Sequence, residues 1–168
     1  MNQKKNIIKK GFELIFSEGL RSFTVDRLSL SLKISKKTIY SLFPSKQELV
    51  QKIVRYKLSK IENNIKDIIK ANDCPLHAFY YVNQLQIKTC SEVDINKLSD
   101  LKIKYPEIWG FIESHRKSER KMLEGIMLKA YDMNYIRQEL EPLEVAGLYM
   151  DIIDKTFQPE FFIQKEAS

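Results

Sequence analysis

The sequence predicts an all-α protein, on the evidence of its apolar spacing, its turn residues and its capping residues. Apolar residues recur at three- and four-residue spacing along almost the whole chain, and the strict alternation of a half-buried strand is absent. Five glycines and five prolines in 168 residues leave few of the turns that a sheet protein needs. The breaks between apolar stripes instead carry residues that begin and end helices.

Three short helices are predicted in the first 45 residues. The first covers residues 4–18 and ends at Gly19, which can adopt the left-handed conformation found at helix C-termini. Thr24 is a suitable N-cap for a second helix of about two turns. Ser35 caps a third helix, residues 36–43.

A long fourth helix and four further helices are predicted after these. A capping box at residues 45–48 begins the fourth helix, which continues to about Ala71. The remaining helices are predicted at residues 76–91, 95–104, 106–132 and 142–156. We therefore expect a small domain of residues 1–46 and a helical domain of residues 47–168. The fourth helix, beginning at residue 45, connects them.

The composition excludes several classes of protein. Hydrophobic residues make up 43% of the chain and charged residues 30%, which suits a globular protein. No apolar run approaches the ~18 residues of a membrane span, and the N-terminus lacks the apolar stretch of a secretory signal. Cys74 and Cys90 are too few for a disulfide framework or a zinc site. We expect a cytoplasmic protein with no metal, no cofactor and no membrane partner.

The charge is distributed unevenly along the chain. Residues 1–60 contain 14 Lys/Arg and 4 Asp/Glu, whereas residues 61–168 contain 14 Lys/Arg and 18 Asp/Glu. A basic first third on an acidic remainder favours binding of a polyanion, either nucleic acid or an anionic membrane surface. Solvated helices of a lysine-rich protein are the alternative, which explains the net charge of +6 but not the change of sign.

The second and third helices form a candidate helix-turn-helix, because only Lys33 and Ile34 separate the second helix from the cap of the third. At about 100° per residue, the third helix has an apolar side and a polar side. The apolar side carries Ile39, Leu42 and Phe43, and the polar side carries Lys36, Lys37, Tyr40 and Ser41. Cations and hydroxyls at a helix N-terminus can bind phosphates and base edges. A basic, solvated helix is the simpler alternative if this helix is considered alone.

Residues 6–54 resemble the N-terminal domain of the TetR family of transcriptional regulators. The matching stretches are Ile8–Leu20, Phe23–Leu28 and Ile34–Leu49, the last including the turn, the third helix and a Phe-Pro-Ser-Lys sequence. The resemblance implies a homodimer that binds a pseudo-palindromic operator in double-stranded DNA and responds to an effector held in the helical body. By position, the implied DNA contacts are Thr24, Ser35, Lys36, Lys37, Thr38, Tyr40 and Lys46.

The chain departs from the family pattern in four places. Lys33 stands where the family usually has glycine, and a left-handed backbone there would strain it by ~1 kcal/mol. Lys37 replaces a second glycine, and Ser41 replaces a residue that is commonly large or basic. Residues 157–168 are fewer than the further long helix that usually completes the dimer interface with the eighth helix.

Apolar stripes on the fifth and seventh helices include a few polar residues, which is the composition of a ligand pocket. The candidate lining residues for a small hydrophobic effector are Phe79, Val82, Gln86, Phe111, His115, Glu119 and Met122. His115 and Glu119 are four residues apart, so they can pair on one helix face. The alternative is that the apolar residues are ordinary core and that this pair is local.

The resemblance thus implies a sequence-specific, ligand-responsive transcriptional repressor, and the basic charge and the candidate helix-turn-helix agree with DNA binding. We do not expect an enzyme, because the chain has no Glu-x-x-His motif, no glycine-rich phosphate loop and no His/Cys zinc spacing. One alternative is a TetR-like interaction module with a truncated dimer interface, which would bind a protein partner or bind DNA non-specifically. A basic peripheral membrane protein is the other.

Overall fold

The computed structural model describes residues 3–91 and 99–156, and all of the regular structure within these ranges is helical. In chain order the helices are α1 (Gln3–Glu18), α2 (Val25–Leu32), α3 (Lys36–Leu42), α4 (Lys46–Ala71), α5 (Pro75–Ser91), α6 (Ser99–Lys104), α7 (Pro106–Asp132) and α8 (Pro142–Thr156). The predicted all-α fold is confirmed. The predicted start of the sixth helix and the C-terminal residues 157–168 lie outside the described residues, as does the side chain of Cys90.

Capping residues set the helix boundaries near the N-terminus. The hydroxyl of Thr24 accepts a hydrogen bond from the Arg27 amide at 3.1 Å, and the hydroxyl of Ser35 accepts one from the Thr38 amide at 3.0 Å. Ser45 does the same for the Glu48 amide at 3.1 Å. These bonds satisfy amides that a helix leaves without intrahelical partners, so each of the three helices begins directly after its predicted capping residue.

Packing divides the chain into two compact units. The head unit consists of residues 1–60 and 92–111, and the body unit consists of residues 61–91 and 112–168. The head unit therefore contains α1–α3, the first part of α4, α6 and the start of α7. The predicted boundary between residues 46 and 47 remains a prediction about function, since packing alone places the division after Lys60.

The head unit has a core that supports α2 and α3 from behind. Its fully buried side chains include Ile7, Leu20, Phe23, Leu28, Ile39, Leu49, Ile53, Leu101 and Ile108. A Cβ atom at Gly11 would collide with the side chain of Ile53, so glycine permits the close approach of α1 to α4. The start of α7 is held to α4 by a hydrogen bond from Gln47 to Glu107.

The body unit has two neighbouring apolar clusters. One centres on Ile65, Ala78, Val82 and Ile126, and the other on Leu123, Met127, Ala146 and Met150. Phe79 packs against both clusters and meets the Tyr149 ring edge-on at 5.3 Å between centroids. Arg120 and Asp151 form an ion pair of 2.5 Å between α7 and α8. Within the described ranges, no helix has the length and hydropathy required to cross a bilayer.

Candidate nucleic-acid interface

The turn between α2 and α3 has the left-handed residue that the family pattern implied. Lys33 has φ 54° and ψ 41°, and its amide donates to the carbonyl of Leu30 at 3.2 Å. The Ile34 amide donates to the carbonyl of Ser29 at 3.1 Å. These two bonds close the end of α2, so that Ser35 can begin α3 immediately afterwards. The chain accepts the strain of a lysine where glycine would be relaxed.

Helix α3 is oriented as its sequence pattern predicts. Ile39 is completely buried and Phe43, which caps the C-terminus, is 2% exposed. Lys36 and Lys37 are exposed on the opposite side, and Tyr40 is 44% exposed. The apolar side therefore anchors the helix in the head unit while two cations and a phenol remain accessible to a ligand.

The smaller hydroxyl residues of α3 are more engaged within the helix. Thr38 is half-buried, and its hydroxyl lies 2.9 Å from that of Ser35. Ser41 is exposed and donates to the carbonyl of Thr38 at 2.8 Å. Ser35 is exposed at the N-terminus of the helix, next to the two lysines.

Lys36 forms an ion pair that the sequence analysis did not anticipate. Its Nζ lies 2.6 Å from Oδ1 of Asp26 in the first turn of α2. The hydrogen bond and charge of Asp26 raise the pKa of Lys36 above its ordinary value. Asp26 was expected only to favour the start of α2, because residues on two separate helices show no periodic relation in the sequence.

Lys46 was predicted to contact phosphate at the surface, but its ammonium also binds the protein itself. Its Nζ donates to the carbonyl of Phe23 at 2.6 Å and lies 5.6 Å from the centre of the Phe23 ring. Partial burial, followed by repulsion from Lys104, lowers the pKa of Lys46. The Lys46 ammonium therefore lies next to the backbone of Phe23. The following residue, Thr24, is the exposed N-cap of α2.

The candidate effector residues are distributed over both units. Val82 is buried in the first body cluster, where Phe79 and Met122 pack against it. Gln86 lies 3.4 Å from the hydroxyl of Tyr149. Phe111 belongs to the head unit, where the Arg55 guanidinium carbon lies 3.7 Å from its ring centre.

The His115 side chain is buried between two carboxylates of the body unit. Its Nε2 lies 3.3 Å from Glu119 Oε1, outside hydrogen-bond geometry, and its Nδ1 lies 3.9 Å from Glu62 Oε2. Glu62 also bonds to Lys66 at 2.6 Å. Among the residues that the structure describes, no three His, Cys, Asp or Glu side chains are grouped to hold a metal ion.

Comparisons with known proteins find a family match for part of the head unit and relatives for most of the chain. Residues 7–53 match the profile of the bacterial regulatory proteins of the tetR family. A curated relative is the uncharacterized HTH-type transcriptional regulator YvaF of Bacillus subtilis (strain 168). It is 24% identical over 160 residues, which cover 94% of this chain and 82% of the relative.

Solved structures share the fold over nearly the whole chain. The transcriptional regulator FadR from Bacillus subtilis, in complex with stearoyl-CoA, aligns with a TM-score of 0.70 and 16% identity, covering 99% of this chain and 90% of that one. A TetR transcriptional regulator from Legionella pneumophila aligns with a TM-score of 0.69 and 18% identity, covering 98% and 97%. The likeness therefore extends beyond the head unit into the body.

Proposed function

This chain is a TetR-family DNA-binding transcriptional regulator, and we propose that it is a ligand-responsive repressor that binds a pseudo-palindromic operator as a homodimer. The observation that carries the proposal is the orientation of α3, whose apolar side is buried and whose Lys36, Lys37 and Tyr40 are exposed. A helix presented in this way fits the major groove, where lysine can bind guanine and hydroxyls can bind base edges.

The remaining proposed DNA contacts lie at the N-terminal ends of α2, α3 and α4. Thr24 accepts the Arg27 amide through its hydroxyl oxygen and keeps its own O–H as a donor for a phosphate. Lys46 uses one of its three N–H donors on the Phe23 carbonyl, so the others can bind the same phosphate as Thr24. Ser35 and Thr38 complete the set. Ser35 is exposed, and the hydroxyl of the half-buried Thr38 lies within hydrogen-bond distance of the Ser35 hydroxyl.

Selection of bound sequences from a random duplex pool tests the DNA-binding proposal. The wild-type chain should select one sequence with two-fold symmetry, and Tyr40→Ala should lose that selection without losing helicity. Tyr81→Ala is the matched control, because Tyr81 is 49% exposed on α5, against 44% for Tyr40. Salt-dependent binding with no preferred sequence would overturn the proposal and support the non-specific interaction module.

A second copy of the chain is the proposed partner of α8. Leu148 and Ile152 lie four residues apart on this helix and are 67% and 63% exposed. Exposed leucine and isoleucine on adjacent turns are favourable only when another surface covers them. The family's usual use of the eighth helix in dimers supports the same assignment.

Sedimentation at micromolar concentration tests the dimer. The wild-type chain should sediment as two chains, and Leu148→Asp combined with Ile152→Asp should convert it to one. Leu76→Asp is the control, because Leu76 is 45% exposed in the first turn of α5, where an acidic residue suits the helix dipole. A wild-type chain that remains monomeric with and without DNA would contradict the proposal.

A small hydrophobic effector is the proposed ligand of the body unit. Its candidate contacts are Phe79, Val82, Gln86, His115, Glu119 and Met122. Phe111, the other residue predicted to line the pocket, belongs to the head unit and is not among them. FadR of Bacillus subtilis, which shares this fold, forms a complex with stearoyl-CoA, and the long acyl chain of that molecule supports a ligand with apolar surface. We place the protein in the cytoplasm, where it would meet both this effector and chromosomal DNA.

Thermal-shift and operator-binding assays with stearoyl-CoA and with a panel of small apolar compounds test the effector proposal. At least one compound should raise the melting temperature and lower operator affinity. If none changes either quantity, the chain binds its operator without an effector and the ligand-responsive part of the proposal is wrong.

A further inference from the structure

Asp26 places a negative charge on the surface that we propose faces DNA. It is in the first turn of α2, and its side chain is 64% exposed. Its Oδ1 lies 2.6 Å from the Nζ of Lys36 in the first turn of α3, whose side chain is 56% exposed. A carboxylate in this position repels phosphates, so its presence beside a DNA-reading lysine calls for a physical explanation.

We propose that Asp26 is a specificity-determining residue, which positions the Lys36 ammonium for base contact and opposes duplex DNA held only through its phosphates. The proposal rests on the proposed function, in which α3 enters the major groove. It adds a residue on α2 that binds no phosphate and acts on recognition through Lys36.

Hydrogen bonds fix the backbone that carries the Asp26 side chain. The hydroxyl of Thr24 caps α2, and the carbonyl of Asp26 accepts a hydrogen bond from Ser29 Oγ at 2.8 Å. Lys46 binds the carbonyl of Phe23 immediately before the cap. Three hydrogen bonds therefore fix the backbone near Asp26, and Lys36, with its longer side chain, has more rotamer freedom to lose when the pair forms.

A restrained lysine and an unrestrained one discriminate differently between sequences. An ammonium on a flexible stem attracts any phosphate, which contributes affinity but no sequence information. When a carboxylate holds it, the ammonium has a fixed position and can bridge that carboxylate and the acceptors of a guanine. On DNA of another sequence the Lys36 ammonium gains no contact with guanine that offsets the repulsion between Asp26 and the phosphates.

The test measures affinity for the selected operator and for random-sequence duplex of equal length, over a range of salt concentrations. Asp26→Asn should raise affinity for random duplex about three- to tenfold, with a salt slope steeper by about one unit. Operator affinity should change less than about threefold, so the specificity ratio falls. Asp26→Ser, which retains a short polar residue suited to a first helical turn, should behave in the same way.

Glu13→Gln is the matched control for charge. Glu13 is exposed on α1 and pairs with Lys10 at 2.8 Å, so the variant also removes one negative charge and one surface ion pair from the head unit. We expect it to leave the ratio of the two affinities within about twofold of wild type, since the ion pair that it removes joins two residues of α1 and does not include Lys36.

A double-mutant cycle with Lys36→Gln tests whether Asp26 acts through Lys36. In the Lys36→Gln background, Asp26→Asn should change the specificity ratio less than about twofold. An equal loss of ratio in both backgrounds, or a ratio that both Asp26 variants leave at the wild-type value, would overturn the inference. A chain that selects no operator would overturn the proposed function instead, which separates the two failures.

Discussion

The head and body units differ in where they place polar side chains. In the head unit, hydroxyls such as Thr24 and Ser35 cap helices at the surface of a buried core, and Leu30 and Ile103 are exposed. In the body unit, His115 is buried between carboxylates, while Leu148 and Ile152 are exposed. Both units are helical, so secondary structure does not account for the difference.

These surfaces fit the partners that we propose for the two units. A surface of cations and hydroxyls over a rigid core suits a polyanion, because charged contacts need a fixed geometry to read base edges. A surface with exposed leucine and isoleucine suits another apolar surface. The regulator thus separates its proposed DNA contact from its proposed dimer contact by unit, and each of the following changes tests one side of that separation.

Core truncation should have the largest effect. Phe23 is 1% exposed and lies beneath the ammonium of Lys46, so Phe23→Ala should lower the free energy of unfolding by about 3–5 kcal/mol. Denaturant unfolding measures this change. Ile126→Ala, at a residue 4% exposed in the body unit, should cost about 2–5 kcal/mol. A loss below about 1 kcal/mol for Phe23→Ala would contradict a rigid support beneath α2.

Removal of one hydroxyl from each unit should have an intermediate effect. Tyr149 donates to Asn83 in the body unit, so Tyr149→Phe should lower the free energy of unfolding by about 1–2 kcal/mol. Thr24→Ala should lower it by about 1 kcal/mol through loss of the α2 cap. Only Thr24→Ala should also weaken operator binding. Thr24→Ser retains the cap and serves as the control; equal DNA affinity for all three variants would place the phosphate contact elsewhere.

One ion pair in each unit should respond to opposite ends of the pH scale. The hydrogen bond from Lys66 lowers the pKa of Glu62 in the body unit, so its stabilisation is present above the unfolded pKa and is lost as pH falls through the folded one. The hydrogen bond from Asp26 raises the pKa of Lys36 in the head unit. That stabilisation is present below the unfolded lysine pKa and is lost as pH rises through the folded one.

Carboxyl titration by NMR measures the acid side of this difference. Lys66→Gln should raise the pKa of Glu62 towards its ordinary value and reduce stability near neutral pH by less than about 1 kcal/mol, because the pair is partly exposed. Lys10→Gln removes the partner of Glu13 in the head unit and should leave the Glu62 titration unchanged. If the pKa of Glu62 in Lys66→Gln remains at its wild-type value, a group other than Lys66 stabilises the charged carboxylate.

Relief of backbone strain should have the smallest effect. Lys33 in the head unit and Asn134 in the body unit both have positive φ, 54° and 58°. Lys33→Gly should raise the free energy of unfolding by roughly 0.5 kcal/mol, the strain of a left-handed lysine less the added freedom of glycine in the unfolded chain. Asn134→Gly should change it less, because asparagine tolerates this conformation better. A larger gain at Asn134 would reverse this expectation.

Much of the candidate site was predictable because its determinants are local. The cap at Ser35 and the buried side of α3 each depend on residues within a few positions, so the sequence pattern placed them. The left-handed backbone at Lys33 was implied by the resemblance to the TetR family, which usually has glycine there. The Lys46 contact was only partly predictable. Its position at the start of α4 was expected, but its bond to the Phe23 carbonyl depends on how α4 packs against the entry to α2.

The sequence by itself determined the helices, their ends and the amphipathic character of α3, since capping and periodic burial operate within one or two turns of a helix. The tertiary structure alone decided that Asp26 pairs with Lys36, that Phe111 stacks against Arg55, and that the His115 side chain lies 3.9 Å from Glu62 of α4. Each of these contacts involves side chains from different helices or from distant turns. Their proximity depends on how the helices pack, a property of the whole core that no short stretch of sequence contains.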